Sequence, residues 1–86
     1  MARARALIQH HAERLRLAAS ALGPEPRTGY EVSFTVFGNE LSAASRRFAV
    51  AETLSHLERR VVEGRAVRHE TRRDGVVVGV SYTAPE

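Results

Sequence analysis

Four histidines are the residues of this 86-residue chain best suited to hold a metal ion. They are His10, His11, His56 and His69, and a protein zinc site needs at least three such side chains to converge. His10 and His11 are neighbours on a predicted helix, where successive side chains point about 100° apart, so a shared metal is not expected. His56 adjoins a predicted core leucine and is expected at the rim of the core, whereas His69 lies in a predicted hairpin. We therefore predict no metal site and no cofactor in this chain.

Serine and glutamate side chains form no catalytic pattern either. The serines of "ELSAASRR", residues 40–47, lack the flanking glycines of a nucleophile elbow, G-x-S-x-G, whose strained turn exposes the nucleophile. The sequence contains no glycine-rich phosphate-binding loop. Glu58 and Glu63 face different directions along a predicted helix, which is typical of a solvated surface. The sequence thus predicts no catalytic residue in this chain.

Arginine is the remaining chemical feature, because all 13 basic residues are arginine and the net charge is +3. A basic surface can contact the phosphates of nucleic acid. The arginines placed for such contacts lie at the start of a long predicted helix and on the hairpin: Arg46, Arg47, Arg68, Arg72 and Arg73. Glutamates on and beside the exposed face of that helix would repel a phosphate backbone: Glu40, Glu52, Glu58 and Glu63. Nucleic acid binding is therefore an alternative and not the favoured function.

Two long helices must position these side chains. In residues 4–22 the apolar positions repeat at helical spacing: Ile8, Ala12, Leu15, Ala19 and Leu22. Gly23 and the proline after it end this helix. In residues 43–63 a second stripe comprises Val50, Leu54, Leu57 and Val61. Ser42 or Ser45 caps the start of this helix, and Gly64 ends it.

A β-hairpin follows, with strands predicted over 66–73 and 76–82 around an Asp74-Gly75 turn. Asp-Gly is the strongest short hairpin signal, because both turn positions need a positive φ. A two-residue turn predicts these pairs: Arg73 with Val76, Thr71 with Val78, His69 with Val80 and Val67 with Tyr82. The face expected to be buried holds Val67, Thr71, Val76, Val78, Val80 and Tyr82, whereas Arg68, Glu70, Arg72 and Ser81 are expected to point to water.

The segment "RTGYEVSFTVFGNEL", residues 27–41, fits two structures. Its apolar residues alternate as in a half-buried strand, yet Thr28 stands three residues before Glu31, the spacing of a helix capping box. On a helix its apolar side chains form two opposite stripes, one with Tyr30, Phe34 and Phe37 and the other with Val32 and Val36. Gly38 would end such a helix. The local terms roughly cancel, so this segment alone leaves both structures open.

Length and composition are consistent with one small domain over residues 1–86, since chains of this size support a single core. The sequence has no cysteine, so the core must hold by packing, and a cytoplasmic location is the simplest expectation. No apolar run approaches the roughly 18 residues that cross a bilayer, and we expect no membrane partner.

Three stretches together resemble a known family: "HHAERL", "TGYEV…VFG" and "RRFAVAETLSHLERRVVEGRAVRHE". From about residue 8 to 82 the chain is similar to the C-terminal winged-helix domain of many metallo-β-lactamase-fold hydrolases. The resemblance implies a mainly α, three-helix winged helix with a C-terminal β-hairpin wing, and a helix over 29–37. The chain departs from the family where better helix formers are usual: Val32, Ser33, Thr35 and Val36.

The resemblance also implies a function. Such hydrolases bind two metal ions, commonly zinc, through an H-x-H-x-D-H motif in an N-terminal domain, and this motif is absent here. The chain is then expected to be a non-catalytic accessory domain of a metallohydrolase, which packs on the catalytic domain of the same chain and shapes its cleft. The alternative is a free-standing winged-helix regulator that binds DNA through the five arginines named above.

The two stripes of the middle helix predict a partner surface. If its aromatic residues fill the core, Val32 and Val36 face outward and become the expected interface with a catalytic domain or with a second copy of the chain. The helical wheel shows only that the stripes are opposite, so the exchanged arrangement, with valines inside and aromatic residues outside, also stays open.

Overall fold

The computed structural model describes residues 20–86 and positions 13, 14 and 16–18. Its elements in chain order are helix α1, helical at 13–14, 16–18 and 20; α2, Gly29–Phe37; α3, Ala43–Val62; β1, Val67–Arg73; and β2, Val76–Thr83. Three helices followed by a two-stranded antiparallel hairpin confirm the predicted fold class. The predicted helix before residue 13, with His10 and His11, lies outside the described residues. In the described part, no helix is long and apolar enough to cross a membrane.

Helix α2 shows that the ambiguous segment is a helix and that the strand reading is wrong. The backbone N–H of Glu31 donates to Thr28 Oγ1 at 3.1 Å, and the backbone N–H of Thr28 donates to Glu31 Oε1 at 3.0 Å. These reciprocal bonds form the predicted capping box. Gly38 ends the helix with φ 81°, and its N–H donates to the carbonyl oxygen of Phe34 at 2.9 Å. This backbone conformation favours glycine.

The buried face of α2 is the valine side. Val32 is fully buried and Val36 is half-buried against the core, so the expectation that both valines face outward as a partner interface is wrong. The exchanged arrangement is closer to the structure, because Tyr30 is 55% exposed, but Phe34 and Phe37 are half-buried. The physical reason is the close approach of α2 to α3: a Cβ on Gly29 would lie 2.4 Å from Leu54 Cδ2. Small side chains permit this approach, and aromatic side chains would not fit there.

Helix α3 begins at a serine cap and ends at a glycine. The Ser42 side chain accepts from the N–H of Ser45 at 3.1 Å. At the other end Gly64 has φ 75° and donates to the carbonyl of Val61 at 3.0 Å, while the next N–H, that of Arg65, donates to the carbonyl of Arg60 at 2.8 Å. This pair of bonds is a Schellman motif, which satisfies carbonyls at the helix end. The predicted glycine stop is confirmed.

The core lies where the three helices meet the base of the hairpin. Its buried apolar residues come from the three helices, strand β2 and the connections between elements: Ala18, Leu22, Val32, Leu57, Ala66 and Tyr82. His56 is only 5% exposed, so its expected place at the rim is wrong. The connection between α1 and α2 is held against β2, because Arg27 and Tyr82 exchange backbone hydrogen bonds of 2.9 and 2.8 Å. The hairpin is thereby joined to the helices by both backbone and side chains.

The hairpin has the predicted turn but a shifted register. Asp74 and Gly75 both have positive φ, and Arg73 pairs with Val76 as predicted. A β-bulge then leaves Val78 without a pairing partner. Every later pair is displaced: Thr71 with Gly79, Glu70 with Val80, His69 with Ser81, Arg68 with Tyr82 and Val67 with Thr83.

The bulge changes which side chains face the helices. Directly opposite residues of an antiparallel pair share a face, so Arg68 and Glu70 lie on the face of Tyr82 and Val80. The expectation that the whole apolar set is buried is therefore wrong: Val67, Thr71, Val76 and Val78 are exposed. Only Tyr82, which is buried, and Val80, which is half-buried, meet the core.

The capping box makes a prediction about stability. Thr28→Ala should lower the free energy of unfolding by about 0.5–2 kcal/mol, because the N–H of Glu31 loses its acceptor. Thr35→Ala is the matched control: Thr35 is exposed within the same helix, and alanine is the better helix former there. The denaturant midpoint of Thr28→Ala should therefore fall below that of the wild type. The midpoint of Thr35→Ala should stay the same or rise. Equal midpoints for Thr28→Ala and the wild type would contradict the role of the cap.

The same cap predicts a pH dependence. Hydrogen bonds from the Thr28 backbone N–H, and then from its hydroxyl, lower the pKa of Glu31. Since the pKa is lower in the folded than in the unfolded chain, this stabilisation is complete above the unfolded value of about 4.3 and is lost as the pH falls through the folded value. We expect the stability advantage of the wild type over Glu31→Gln to shrink on acidification below about pH 4. An advantage that grows in acid would show that the sign is wrong.

Candidate functional site

Arg46, one of the arginines expected to contact phosphate, is buried between α2 and α3. It is 8% exposed, Nη1 donates to Ser33 Oγ at 3.1 Å, and Nη2 donates to the carbonyl oxygen of Gly38. Its guanidinium carbon lies 3.7 Å from the centroid of the Phe34 ring. The Ser33 hydroxyl in turn donates to the carbonyl oxygen of Tyr30 at 2.6 Å. The guanidinium is buried among partners inside the domain, a position that does not present it to a phosphate.

The position of Arg46 follows from the helical repeat. It lies four residues before Val50, on the extension of the predicted core stripe of α3, so its side chain enters the α2–α3 interface. The last turn of α2 contains no basic residue of its own. Arg46 supplies a positive charge to the carbonyl groups at that helix end, where the helix dipole favours a cation. The residue is therefore structural.

Two further predicted arginines, Arg68 and Arg72, belong to a polar network on the hairpin. Arg68 Nε donates to Glu58 Oε1 at 3.0 Å, and the hydroxyl of Tyr82 donates to the same oxygen at 2.6 Å. Glu70 pairs with Arg68 and, at 2.7 Å, with Arg72 Nη2. We call Glu58, Arg68, Glu70, Arg72 and Tyr82 the hairpin network. Its two carboxylates already neutralise both arginines.

The titration of the hairpin network reflects these contacts. Burial, followed by the hydrogen bond to Glu58, raises the pKa of Tyr82 to about 12. Hydrogen bonds from Arg68 and then Arg72 lower the pKa of Glu70, and the bond to Glu70 raises the pKa of Arg68. The network therefore holds a neutral phenol and paired charges, a structural arrangement that joins α3 to the hairpin.

The remaining two arginines, Arg47 and Arg73, are exposed and form no ion pair within the part of the chain that the structure describes. The five predicted arginines are thus divided between the helix interface, the hairpin network and the open surface. Among the described residues no three His, Asp or Glu side chains converge on a possible metal position. His69 instead hydrogen-bonds to Thr83 Oγ1 at 2.8 Å.

An apolar groove lies on the other side of α3, and sequence reasoning missed it. We call it the aromatic groove; it has a volume of about 460 Å³ and is lined by Arg14, Phe37, Leu41, Ser45, Phe48, Ala49 and Glu52. Phe48 is 80% exposed. Arg14 closes one side, with Nη1 3.5 Å from Glu52 Oε2 and its guanidinium 5.3 Å from the Phe37 ring centroid. The missed signal is the phenylalanine itself, which shares a helix face with Ser45 and Glu52 instead of the core stripe.

Other exposed apolar residues are scattered or lie at the hairpin tip. Tyr30 and Val62 are exposed on different helices, and Val76, Val77 and Val78 are exposed around the bulge. A second groove, of about 470 Å³, is bordered by the ion pair of Glu58 and Arg68, whereas the aromatic groove is lined by three large apolar side chains, Phe37, Leu41 and Phe48. Such a shape is suited to receive side chains of another protein surface.

Comparison with known proteins identifies related domains. Residues 15–78 match the family described as "Metallo-beta-lactamase-like, C-terminal domain". A solved structure titled a beta-lactamase domain protein from Burkholderia ambifaria is 28% identical, with a TM-score of 0.71 over 93% of this chain. The match spans 23% of that protein, so the chain corresponds to about a quarter of its length. No curated protein sequence matches the chain significantly.

Arg46 makes the prediction that belongs to this site. Arg46→Lys should lower the free energy of unfolding by about 1.5–3 kcal/mol, because a lysine cannot bond both Ser33 and Gly38 while stacking on Phe34. Arg47→Lys, at the exposed neighbouring position, should change it by less than about 0.5 kcal/mol. Chemical denaturation of the two single variants distinguishes them. Similar stabilities would mean that the buried guanidinium does not hold α2 against α3.

Proposed function

Because the chain belongs to the metallo-β-lactamase-like C-terminal domain family, we propose that it is a non-catalytic accessory domain of a metallo-β-lactamase-fold hydrolase. It packs on the N-terminal catalytic domain of the same protein and forms part of the wall of the catalytic cleft. We propose a winged-helix geometry for it, with the β1–β2 hairpin as the wing, and a cytoplasmic location. Its lack of cysteine is consistent with that compartment.

The observation that carries this proposal is the exposure of Phe48. Transferring a phenylalanine side chain from water to an apolar contact contributes about 1.5–3 kcal/mol, and Phe48 is 80% exposed in this domain. It stands beside Phe37 and Leu41, so the exposed surface is continuous rather than isolated. A domain that covers about a quarter of a longer relative has a partner surface available for this contact.

Metal chemistry is assigned to the catalytic domain. Two metal ions, expected to be zinc, would supply the activated water of a hydrolase there. The described residues of this chain do not fit a metal site, since no three ligand side chains converge. This chain contributes a rigid domain, which the Arg46 contacts and the hairpin network hold together. The domain positions side chains near the substrate.

A truncation experiment tests the proposal. The full-length protein, encoded by the complete reading frame, is compared with a version that lacks residues 1–86 of this chain. We expect equal zinc content by elemental analysis, because the metal ligands lie elsewhere, but a lower kcat/KM in the truncated enzyme. The separate 86-residue chain should bind no stoichiometric zinc, should hydrolyse no ester or thioester, and should bind the truncated enzyme in isothermal titration calorimetry.

Two outcomes would contradict this function. A reading frame that starts at Met1, without an upstream metal-binding domain, would remove the partner. Saturable binding of duplex DNA by the 86-residue chain, measured by fluorescence anisotropy, would favour the DNA-binding regulator that the arginines suggested. We expect only weak, salt-sensitive DNA binding, because the glutamates of the hairpin network already pair with Arg68 and Arg72.

A further inference from the structure

We propose that the aromatic groove is the surface on which the N-terminal metallo-β-lactamase domain of the same protein docks, with an apolar side chain of that domain seated against Phe48. This inference rests on the function proposed above and adds the position and the chemistry of the contact. The hairpin and the outward face of Tyr30 then remain outside the interdomain contact.

The groove is built by a second stripe of α3. Ser45, Phe48, Ala49 and Glu52 are spaced i, i+3, i+4 and i+7, so they share one face of the helix. Its lining combines the small side chains of Ser45 and Ala49 with the larger apolar side chains of Phe37, Leu41 and Phe48. A groove of about 460 Å³ with this lining admits a protruding aliphatic or aromatic side chain.

The concave surface extends beyond this groove along α1. A neighbouring depression of about 290 Å³ is lined by Glu13, Arg14, Leu17 and Val36. Arg14 lines both, so the two form one elongated surface that crosses α1, α2 and α3. An elongated surface with apolar walls and charged residues at its margin is typical of a protein–protein contact, in which apolar anchors are surrounded by a polar rim.

The position of α1 identifies the occupant. Arg14 of this helix lines the groove, and the domain belongs to a family defined as C-terminal. A catalytic domain that precedes this domain in the same protein is therefore covalently linked to it on the α1 side. Such a tether raises the effective concentration of the partner surface to the millimolar range for a short flexible linker. A modest apolar contact is then sufficient for docking.

The charges and the hairpin make other occupants less suitable. Glu13 and Glu52 lie at the margin and would repel a phosphate backbone, while Arg14 is paired with Glu52 at 3.5 Å. The valines at the hairpin tip are the strongest competing surface. The bulge at Val78 interrupts the strand there, and bulges are a device by which edge strands avoid pairing with another chain.

The experiment compares two glutamate substitutions on the same helix in the full-length protein. Phe48→Glu changes the groove, and Val62→Glu is the matched control, since Val62 is 87% exposed near the other end of α3. Both positions are exposed, so both variants of the 86-residue chain should unfold at the wild-type denaturant midpoint. In the full-length protein, small-angle X-ray scattering should show a larger radius of gyration for Phe48→Glu only, together with faster limited proteolysis between the domains.

The outcomes separate this inference from the proposed function. If the wild-type domains are already undocked in solution, the proposed function is wrong. If the wild-type domains are docked but remain so in Phe48→Glu, or separate in Val62→Glu instead, the accessory function stands and the groove is not its interface. If the 86-residue chain dimerises in sedimentation experiments and Phe48→Glu abolishes the dimer, a second copy is the occupant and the inference is overturned.

Discussion

The buried guanidinium of Arg46 sets the relation between α2 and α3, and the rest of the domain depends on that relation. A buried charge costs several kcal/mol unless hydrogen bonds and a favourable dipole compensate it. Ser33, the carbonyl of Gly38 and the face of Phe34 provide those compensating contacts, all from α2 or its end. Because the contacts have defined directions, they admit one rotation of α2 about its axis. A purely apolar interface would discriminate less well between rotations.

That rotation determines both the core and the exposed surface. It places Gly29, Val32 and Ser33 against α3, where the approach to Leu54 leaves no space for a larger side chain. Tyr30 must then face away from the core, and Phe37 lines the aromatic groove. The exposed apolar surface therefore follows from the same orientation of α2 that forms the core. The aromatic groove and the core are two results of one helix orientation.

Local signals predicted the elements well, whereas their mutual orientation depended on contacts between distant residues. The T-x-x-E spacing at Thr28, the stops at Gly38 and Gly64, and the Asp74-Gly75 turn act within a few residues, and each is present in the structure. The orientation of α2 depends on a close approach between Gly29 and Leu54, which the helical wheel of one segment cannot show. Small residues at 29 and 33 were an available sign of that approach. The burial of Arg46 could also have been inferred, since the residue extends the core stripe.

The register error in the hairpin has a different origin and a larger consequence. A single extra residue, Val78, shifts the pairing register of the two strands by one residue. Nothing in the uninterrupted run of valines indicates which of them is the extra residue. The bulge brings Arg68 and Glu70 onto the face of Tyr82, so polar contacts join the apolar packing between the hairpin and α3. An apolar contact would tolerate small rotations of the hairpin, but a network centred on Glu58 Oε1, which accepts from both Tyr82 and Arg68, constrains its angle. The valines at the tip, Val76, Val77 and Val78, are therefore exposed, although their sequence pattern suggests a place in the core.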